Sequence, residues 1–204
     1  MIRRLSLFPL LALLFTLTLP HAGAARSGGP PEALPRVRLE TSAGMIVIEL
    51  EARRAPITSQ NFLAYVDGGK FDGKTFYRAA RNRKAPEYGL IQGGINHRVV
   101  GALLPIEHEP TSETGLRHVD GTVSMARNAP GTAMGDFFIT IGSGSYLDAR
   151  EGYPGYAAFG RVVEGMDVVR EILAAPTYPG GRSRSTIGQL IKEPIRIIRA
   201  RRVE

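Results

Sequence analysis

The sequence predicts a mainly β protein: a closed antiparallel barrel of about eight strands, capped by two α-helices. Short segments of alternating apolar and polar residues recur along the chain, and most are bounded by Gly, Pro or Asp. The 24 glycines and 14 prolines are spread along the 204 residues, which favours strands and turns over long helices. Helical patterns occur once early and once late, so strands and helices do not alternate as they do around a parallel sheet.

The first predicted elements are a β-hairpin and a helix. Residues 37–41 and 45–51 both alternate, and Ser42-Ala43-Gly44 between them suits a tight turn. A helix is predicted over residues 56–67, because Pro56 suits a first helical turn and a Gly-Gly pair follows the segment. Its apolar positions share one helical face: Ile57, Phe62, Leu63 and Val66.

From residue 75 onward the pattern returns to short strands, interrupted by one further helix over residues 165–174. The apolar positions of that helix are Met166, Val168, Val169 and Ile172. A segment rich in Pro and Gly then precedes a closing strand. The predicted strands cover residues 75–78, 90–93, 121–125, 137–141, 157–163 and 195–200.

The first 24 residues predict a secretory signal peptide. Arg3 and Arg4 give a positive start, residues 5–19 are apolar, and Ala22-Gly23-Ala24 matches the small-residue pattern of signal peptidase sites. A membrane anchor is the alternative, but this apolar run contains Pro9 and is shorter than the roughly 20 residues that span a bilayer.

We therefore expect an exported protein that begins near Ala25 and is not stably inserted in a membrane. In a Gram-negative cell the compartment would be the periplasm. Residues 25–35 are rich in Gly and Pro and predict a flexible lead, and residues 36–204 are predicted to form one folded domain.

Composition excludes several function classes. The chain has no cysteine, so disulfide scaffolds, iron–sulfur clusters, Cys-ligated zinc and cysteine nucleophiles are impossible. Without residues 1–24 the formal net charge falls from +7 to +5, because that segment has two arginines and no acidic residue. The basic residues are not interleaved with stacking aromatic residues, so solvated surface charge is favoured over nucleic-acid binding.

Motifs of other enzyme classes are absent from the sequence. It has no G-x-S-x-G, H-E-x-x-H or Walker loop, and its histidines match no zinc-binding spacing, so no metal site is predicted. A secreted hydrolase on a β-barrel would need a nucleophile, a metal or a placed pair of carboxylates. Candidates for such a pair are Glu107, Glu109 and Asp148, although each is more typical of a loop or strand-end charge.

Four segments form a distinctive set by their order and spacing. They are Phe76-Tyr77-Arg78, Ile91-Gln92-Gly93-Gly94, the run GTVSMARNAPGTAMGDFFI over residues 121–139, and Tyr146-Leu147-Asp148 followed by FGRVVEGM over residues 159–166. Together they resemble the cyclophilin family of peptidyl-prolyl isomerases. The resemblance covers roughly residues 35–200, and its most specific part is S-M-A-R followed by D-F-F-I, combined with F-G-R-V-V-E-G-M.

The resemblance implies an eight-stranded antiparallel barrel capped by two helices, in agreement with the strand count. It also implies a monomeric enzyme, without a cofactor, that catalyses rotation about X–Pro bonds in proline-containing segments of unfolded or extended proteins. The uncatalysed barrier is about 20 kcal/mol, because the amide C–N bond has partial double-bond character. A cationic donor aimed at the prolyl nitrogen lowers it by favouring the state in which the lone pair is localised.

The resemblance also assigns roles to individual residues. Arg78 matches the catalytic arginine that polarises the prolyl amide, and Gln92 matches a glutamine that bonds the substrate backbone and supports the arginine. Phe138 matches the aromatic floor of the proline pocket. Ala126 and Arg127 match a segment whose main chain pairs with the substrate. The other matched substrate-binding positions are Leu90, Asp136, Tyr146, Leu147 and Tyr156.

The sequence departs from the family pattern around the groove. Asp136 stands where many members carry glutamine, Tyr146 where eukaryotic members often carry tryptophan, and Tyr156 near their histidine. The stretch ARNRKAPEYG over residues 80–89 is longer than the usual connection, so the expected phenylalanine falls on Gly89. We expect an exposed loop beside the groove, with Tyr88 near the missing ring and with these basic residues and proline: Arg81, Arg83, Lys84 and Pro86.

A non-catalytic prolyl-peptide binding or chaperone module on the same fold is the main alternative. Such a module would keep the groove but lose the arginine or the apolar floor. Because Arg78 and Phe138 are both present, the sequence favours an isomerase.

Overall fold

The computed structural model describes residues 33–203 and shows a closed barrel of eight antiparallel strands, which confirms the predicted fold class. The strands follow one another around the barrel in the order β1-β2-β7-β5-β6-β4-β3-β8. They are β1 (Arg36–Thr41), β2 (Gly44–Leu50), β3 (Thr75–Arg81), β4 (Gly89–Gly94), β5 (Thr122–Met125), β6 (Asp136–Ile141), β7 (Ala158–Glu164) and β8 (Leu190–Val203).

The predicted signal peptide over residues 1–24, and residues 25–32 of the predicted lead, lie outside the described residues and stay predictions. Just before β1, the carbonyl of Pro35 accepts a hydrogen bond of 2.8 Å from the backbone N–H of Leu50. No helix within residues 33–203 has the length and apolar character needed to cross a membrane.

Side-chain alternation on the strands separates an inner core from an outer surface. Successive strand residues point to opposite faces, so Phe137 and Ile139 of β6 pack inside the barrel while Phe138 between them points out. In the same way, Ile91 of β4 belongs to the inner core and Leu90 to the outer face. This alternation places a second, smaller apolar cluster on the outside of the barrel, where the candidate site lies.

Two strands, β3 and β8, extend three or more residues beyond their predicted bounds, and both border the site. β3 continues past Arg78 to Arg81, and β8 begins at Leu190 rather than at residue 195. The pairing of β3 with β8 shifts register between Phe76 and Arg78. Proline has no backbone N–H and usually interrupts a strand. Pro194 lies where this pairing shifts register, and the irregularity accommodates it.

Helix α1 (Pro56–Asp67) packs against β7 and β8 and has the predicted bounds. Its buried stripe runs through Ser59, Phe62 and Val66. The prediction that Ile57 belongs to this stripe is wrong, because Ile57 lies about 20° around the helix from Ala64, which is exposed. The side chain of Ile57 is 39% exposed.

Glu109, one of the candidate hydrolase carboxylates, caps the first turn of α1. Its two oxygens accept hydrogen bonds from the backbone N–H groups of Ile57 (3.1 Å) and Thr58 (2.7 Å) and from the Thr58 hydroxyl. These contacts satisfy donors that the helix leaves unpaired and place a negative charge at its positive end. Glu109 is therefore a structural carboxylate of the fold.

The second predicted helix is present as α3 (Met166–Ala174), and it packs against β2, β3, β4 and β6. It follows Gly165, whose φ of 85° and close approach to the backbone of Met45 leave no room for a side chain. A single-turn helix, α2 (Thr111–Thr114), lies in the connection between β4 and β5 and was not predicted. One turn is too short to give a hydrophobic period that sequence can show.

Candidate active site

A cavity of about 780 Å³ lies on the outer face of β3, β4 and β6. Its apolar floor is formed by Leu90, Phe138 and Leu147, with Ala126 and Tyr156 packed against them. The ring of Tyr156 stands edge-on to Phe138 at a centroid distance of 5.4 Å. This floor is separate from the barrel core and offers a pocket for a small apolar ring.

Arg78 lies on the wall of this cavity and is held by two glutamines. Its Nη1 donates to Gln92 Oε1 and its Nε to Gln189 Oε1, both at 2.8 Å. The pairing of β3 with β4 sets Arg78 directly across from Gln92. Partial burial lowers the pKa of Arg78 below its ordinary value, yet an arginine remains charged at neutral pH.

A chain of hydrogen bonds extends behind Arg78. Gln92 Nε2 donates to the Tyr77 hydroxyl at 2.7 Å, and that hydroxyl donates to Asp136 Oδ1 at 3.2 Å. Burial, followed by the Asp136 charge, raises the pKa of Tyr77, so the hydroxyl keeps its proton. The chain fixes the Gln92 amide so that its oxygen faces Arg78.

Asp136 anchors this chain from behind the cavity and does not line it. Its carboxylate accepts the backbone N–H groups of Asn96 (2.7 Å) and His97 (2.8 Å), both of which have positive φ near 60°. This turn after β4 covers Asp136 and leaves it 5% exposed. The expected direct contact of Asp136 with substrate therefore stays a prediction, while the structure gives it a positioning geometry.

The other nine predicted site residues all line the cavity. Arg127 stacks over the ring of Tyr156 at 4.9 Å and donates Nη2 to the carbonyl of Gly155. Tyr146 lies at the rim and is 59% exposed. The remaining members of this group are Arg78, Leu90, Gln92, Ala126, Phe138 and Leu147.

The connection between β3 and β4 differs from its prediction at Arg81. Arg83, Lys84 and Pro86 are exposed, as expected, but Arg81 ends β3 and is partly buried. Its guanidinium donates to the backbone carbonyls at the end of α3, those of Leu173 (2.7 Å) and Ala175. A cation suits this position, because the C-terminal end of a helix carries partial negative charge.

Gly89 cannot carry the ring that the family pattern places there. Its φ is +146°, and a Cβ atom on this backbone would lie 2.1 Å from the carbonyl oxygen of Ala80. Tyr88, one residue earlier, lines the cavity and packs against Gly142. An aromatic side chain is thus present at this edge of the cavity but enters it from a neighbouring position.

Gln189 and Arg182 also line the cavity, but the sequence does not predict them as site residues. Both belong to the Pro- and Gly-rich segment before β8. Their roles depend on contacts with residues far along the chain, 111 positions away for the bond between Arg78 and Gln189. No local pattern carries such information.

A buried Ser–His–Asp arrangement lies directly beneath the floor. His118 Nδ1 is 2.7 Å from Asp148 Oδ1, His118 Nε2 is 3.0 Å from Ser124 Oγ, and the imidazole stacks on Phe138 at 5.9 Å. Ser124 is fully buried, so its hydroxyl cannot reach a substrate. Asp148 is bound to His118 and Glu107 does not line the cavity, so neither supports the hydrolase alternative.

Comparison with known proteins identifies the family. A family model described as cyclophilin type peptidyl-prolyl cis-trans isomerase/CLD matches residues 36–201. This chain belongs to that cyclophilin-type family. It is accordingly a peptidyl-prolyl cis-trans isomerase, as its sequence motifs predict.

Curated cyclophilin-type relatives support this assignment. A peptidyl-prolyl cis-trans isomerase of Acinetobacter baylyi is 36% identical over 166 residues, which cover 79% of this chain and 82% of that protein. One from Streptomyces antibioticus is 42% identical over 148 residues, which cover 69% of this chain and 84% of that protein.

The barrel is also similar to solved cyclophilin structures. A cyclophilin type isomerase of Cryptosporidium parvum matches with a TM-score of 0.66 and 22% identity, over 84% of this chain and 98% of that one. A structure of that protein in the presence of the dipeptide Ala-Pro matches with a TM-score of 0.65 and 22% identity, over 83% and 99% of the two chains. At this identity the likeness supports the fold.

His118 makes the stability of this isomerase depend on pH. Burial lowers the pKa of His118 below its ordinary value of 6.5, although Asp148 opposes the shift. As the pH falls below about 6.5, the unfolded chain therefore binds a proton that the folded chain does not, and the free energy of unfolding decreases. We expect His118→Gln to weaken this dependence in urea denaturation measured between about pH 7 and about pH 5.

The control is His108→Gln, because His108 lies at the surface and contacts the carbonyl of Pro154. This variant should keep the pH dependence of the unmodified protein. An unchanged dependence in His118→Gln would contradict the assignment.

Proposed function

We propose that this cyclophilin-type isomerase acts on X–Pro bonds in exported unfolded or extended chains, and that Arg78 polarises the prolyl amide. The observation that carries the mechanism is a charged guanidinium fixed on the wall of an apolar pocket. Two of its nitrogens are held by glutamines, and its Nη2 donates to no residue within the described range 33–203. That nitrogen is available to a substrate.

The apolar pocket and Arg78 have separate roles in lowering the barrier to rotation about the X–Pro bond. The floor of Leu90, Phe138 and Leu147 excludes water and holds the prolyl ring. In the planar amide the nitrogen lone pair is delocalised into the carbonyl, and this delocalisation is lost when the bond is twisted. In the twisted state the localised lone pair accepts a hydrogen bond from a guanidinium N–H more strongly than the nitrogen does in the planar state. Because the twisted transition state is then bound more tightly than the ground state, rotation about the X–Pro bond is accelerated.

The neutral partners of Arg78 favour this mechanism. A carboxylate in place of Gln92 or Gln189 would hold the guanidinium equally well but would cancel much of its charge. Amide oxygens fix the geometry and leave the positive field directed into the cavity. Because the cavity is partly desolvated, this field is stronger there than at an exposed surface.

The main alternative, a non-catalytic binding or chaperone module on the same fold, would lack either the arginine or the apolar floor. Both are present, and the structure brings them to one cavity. Membership in the isomerase family favours catalysis as well.

Export is the second part of the proposal. It is supported by the sequence of residues 1–24, with its positive start, apolar run and Ala22-Gly23-Ala24 site. In a Gram-negative cell the clients would then be periplasmic proteins that contain proline. A monomer that needs no cofactor suits this setting.

We expect the exported protein to begin close to Ala25, because cleavage after Ala24 follows the signal peptidase pattern. N-terminal sequencing of the protein purified from its native cell measures this directly. An intact Met1 in the soluble fraction would contradict the proposal of export by cleavage.

Arg78→Ala should lower kcat/KM for a short X–Pro peptide by about a hundredfold or more, in line with the loss of one preorganised donor. Arg78→Lys should recover little, since a point charge lacks the fork that both glutamines bind. Arg78 is partly buried, so the alanine variant should lose about 1 kcal/mol of stability and remain folded. An NMR exchange assay and a thermal melt give the two measurements.

Arg83→Ala serves as the control, because Arg83 is exposed on the loop between β3 and β4. It should isomerise the peptide at the rate of the unmodified enzyme. A folded Arg78→Ala protein with near-normal exchange rates would overturn the mechanism.

A further inference from the structure

Many arginines outside the cavity are paired with carboxylates, whereas those that line it are not. Within residues 33–203, eight arginines outside the cavity form ion pairs, six of them at 2.6–2.8 Å. Inside it, four arginines line the wall, and each has only uncharged hydrogen-bond partners among residues 33–203. The lining arginines are Arg78, Arg81, Arg127 and Arg182.

No Asp or Glu within residues 33–203 lines the cavity. Asp136 lies behind Tyr77 and Gln92, and its oxygens already accept a hydroxyl and two backbone N–H groups. Glu87 is exposed next to Tyr88 of the rim, and Asp148 follows Leu147 of the floor, but neither lines the cavity. No carboxylate of residues 33–203 therefore pairs directly with a lining arginine.

Of the four lining arginines, Arg182 is best placed to contact a substrate without taking part in the rotation step itself. Its Nη1 donates to Asn96 Oδ1 at 2.7 Å, and its guanidinium lies over the ring of Tyr77 at 5.8 Å. Tyr77 in turn bonds Gln92, which holds Arg78. Arg182 is thus fixed on the same wall as Arg78, on the far side of one aromatic ring.

Arg127 lies beside the apolar floor and, like Arg182, lies over a tyrosine ring. It lies over Tyr156, whose ring contacts Phe138. The Nε of Arg127 is buried and has no hydrogen-bond partner within the described part of the chain. A segment whose proline contacts Phe138 would therefore pass guanidinium groups that have no carboxylate partner among residues 33–203.

We propose that this isomerase prefers X–Pro segments that carry an Asp or Glu side chain within a few residues of the proline, with Arg182 as the residue that sets the preference. The proposal rests on the function proposed above. A carboxylate matches the planar fork of a guanidinium and can bind it through two parallel hydrogen bonds. Arg182 is an exposed side chain, and its hydrogen bond to Asn96 and its contact with Tyr77 restrict it, which reduces the side-chain entropy lost on binding.

The test compares matched peptides that differ only by Glu or Gln beside the X–Pro bond, with the Glu placed before the bond in one series and after it in another. For the unmodified enzyme we expect kcat/KM to be about fivefold higher for the Glu peptide of at least one series at low ionic strength. This factor lies at the upper end of the range for ion pairs of exposed side chains such as Arg182. Added salt should reduce it, because screening shortens the range of the attraction.

Arg182→Gln should lower the Glu-to-Gln ratio to about twofold or less. Arg184→Gln is the matched control: it removes the same charge two residues along the same segment, from an exposed side chain that does not line the cavity. The control should keep the full ratio. NMR exchange measurements on all three proteins supply the values of kcat/KM.

The outcomes separate this inference from the proposed function. Equal rates for Glu and Gln peptides in both series, with clear acceleration of both, would overturn the inference and leave the isomerase intact. An equal loss of preference in Arg182→Gln and Arg184→Gln would assign the effect to net charge and overturn the role of Arg182. No acceleration of any X–Pro peptide would overturn the proposed function itself.

Discussion

The site depends on one chain of hydrogen bonds, which runs from Asp136 through Tyr77 and Gln92 to Arg78. In this chain the hydrogen-bonding role of each member depends on its neighbour. The carboxylate accepts, the hydroxyl must donate to it and accept from Gln92 Nε2, and Gln92 Oε1 is left to face the guanidinium. The Asp136 carboxylate is bound by the backbone N–H groups of Asn96 and His97, and Arg78 is positioned by uncharged amides without direct contact with a carboxylate.

The barrel makes this arrangement possible because its strands use both faces. Inward residues such as Phe137 and Ile91 fill the core, and their outward neighbours Phe138 and Leu90 form the floor of the cavity. The floor is supported from below by His118, whose two ring nitrogens contact Asp148 and Ser124. The pocket is therefore built from strands of the barrel and supported from below, and such support helps to hold a prolyl ring close to the Arg78 donor.

Much of this could be predicted from the sequence, and the exceptions have physical reasons. Period-two alternation and Gly or Pro boundaries locate most strands within a few residues, and the family motifs identify nine residues that line the cavity. The position of Asp136 behind the cavity could not be predicted, because it depends on a turn with two positive φ angles that covers the carboxylate. Gln189 and the contact of Arg81 with the end of α3 depend on residues distant in the chain, which no local pattern can reveal.

The most direct test of this account is the activity of Tyr77→Phe, which removes only the hydroxyl that joins Asp136 to Gln92. Tyr65→Phe is the matched control, because its buried hydroxyl accepts from Leu103 N and takes no part in the chain. We expect kcat/KM for an X–Pro peptide to fall about tenfold in Tyr77→Phe, equivalent to about 1.4 kcal/mol of transition-state stabilisation, and to stay within about twofold in Tyr65→Phe. Normal activity in a folded Tyr77→Phe protein would show that Arg78 does not depend on this chain.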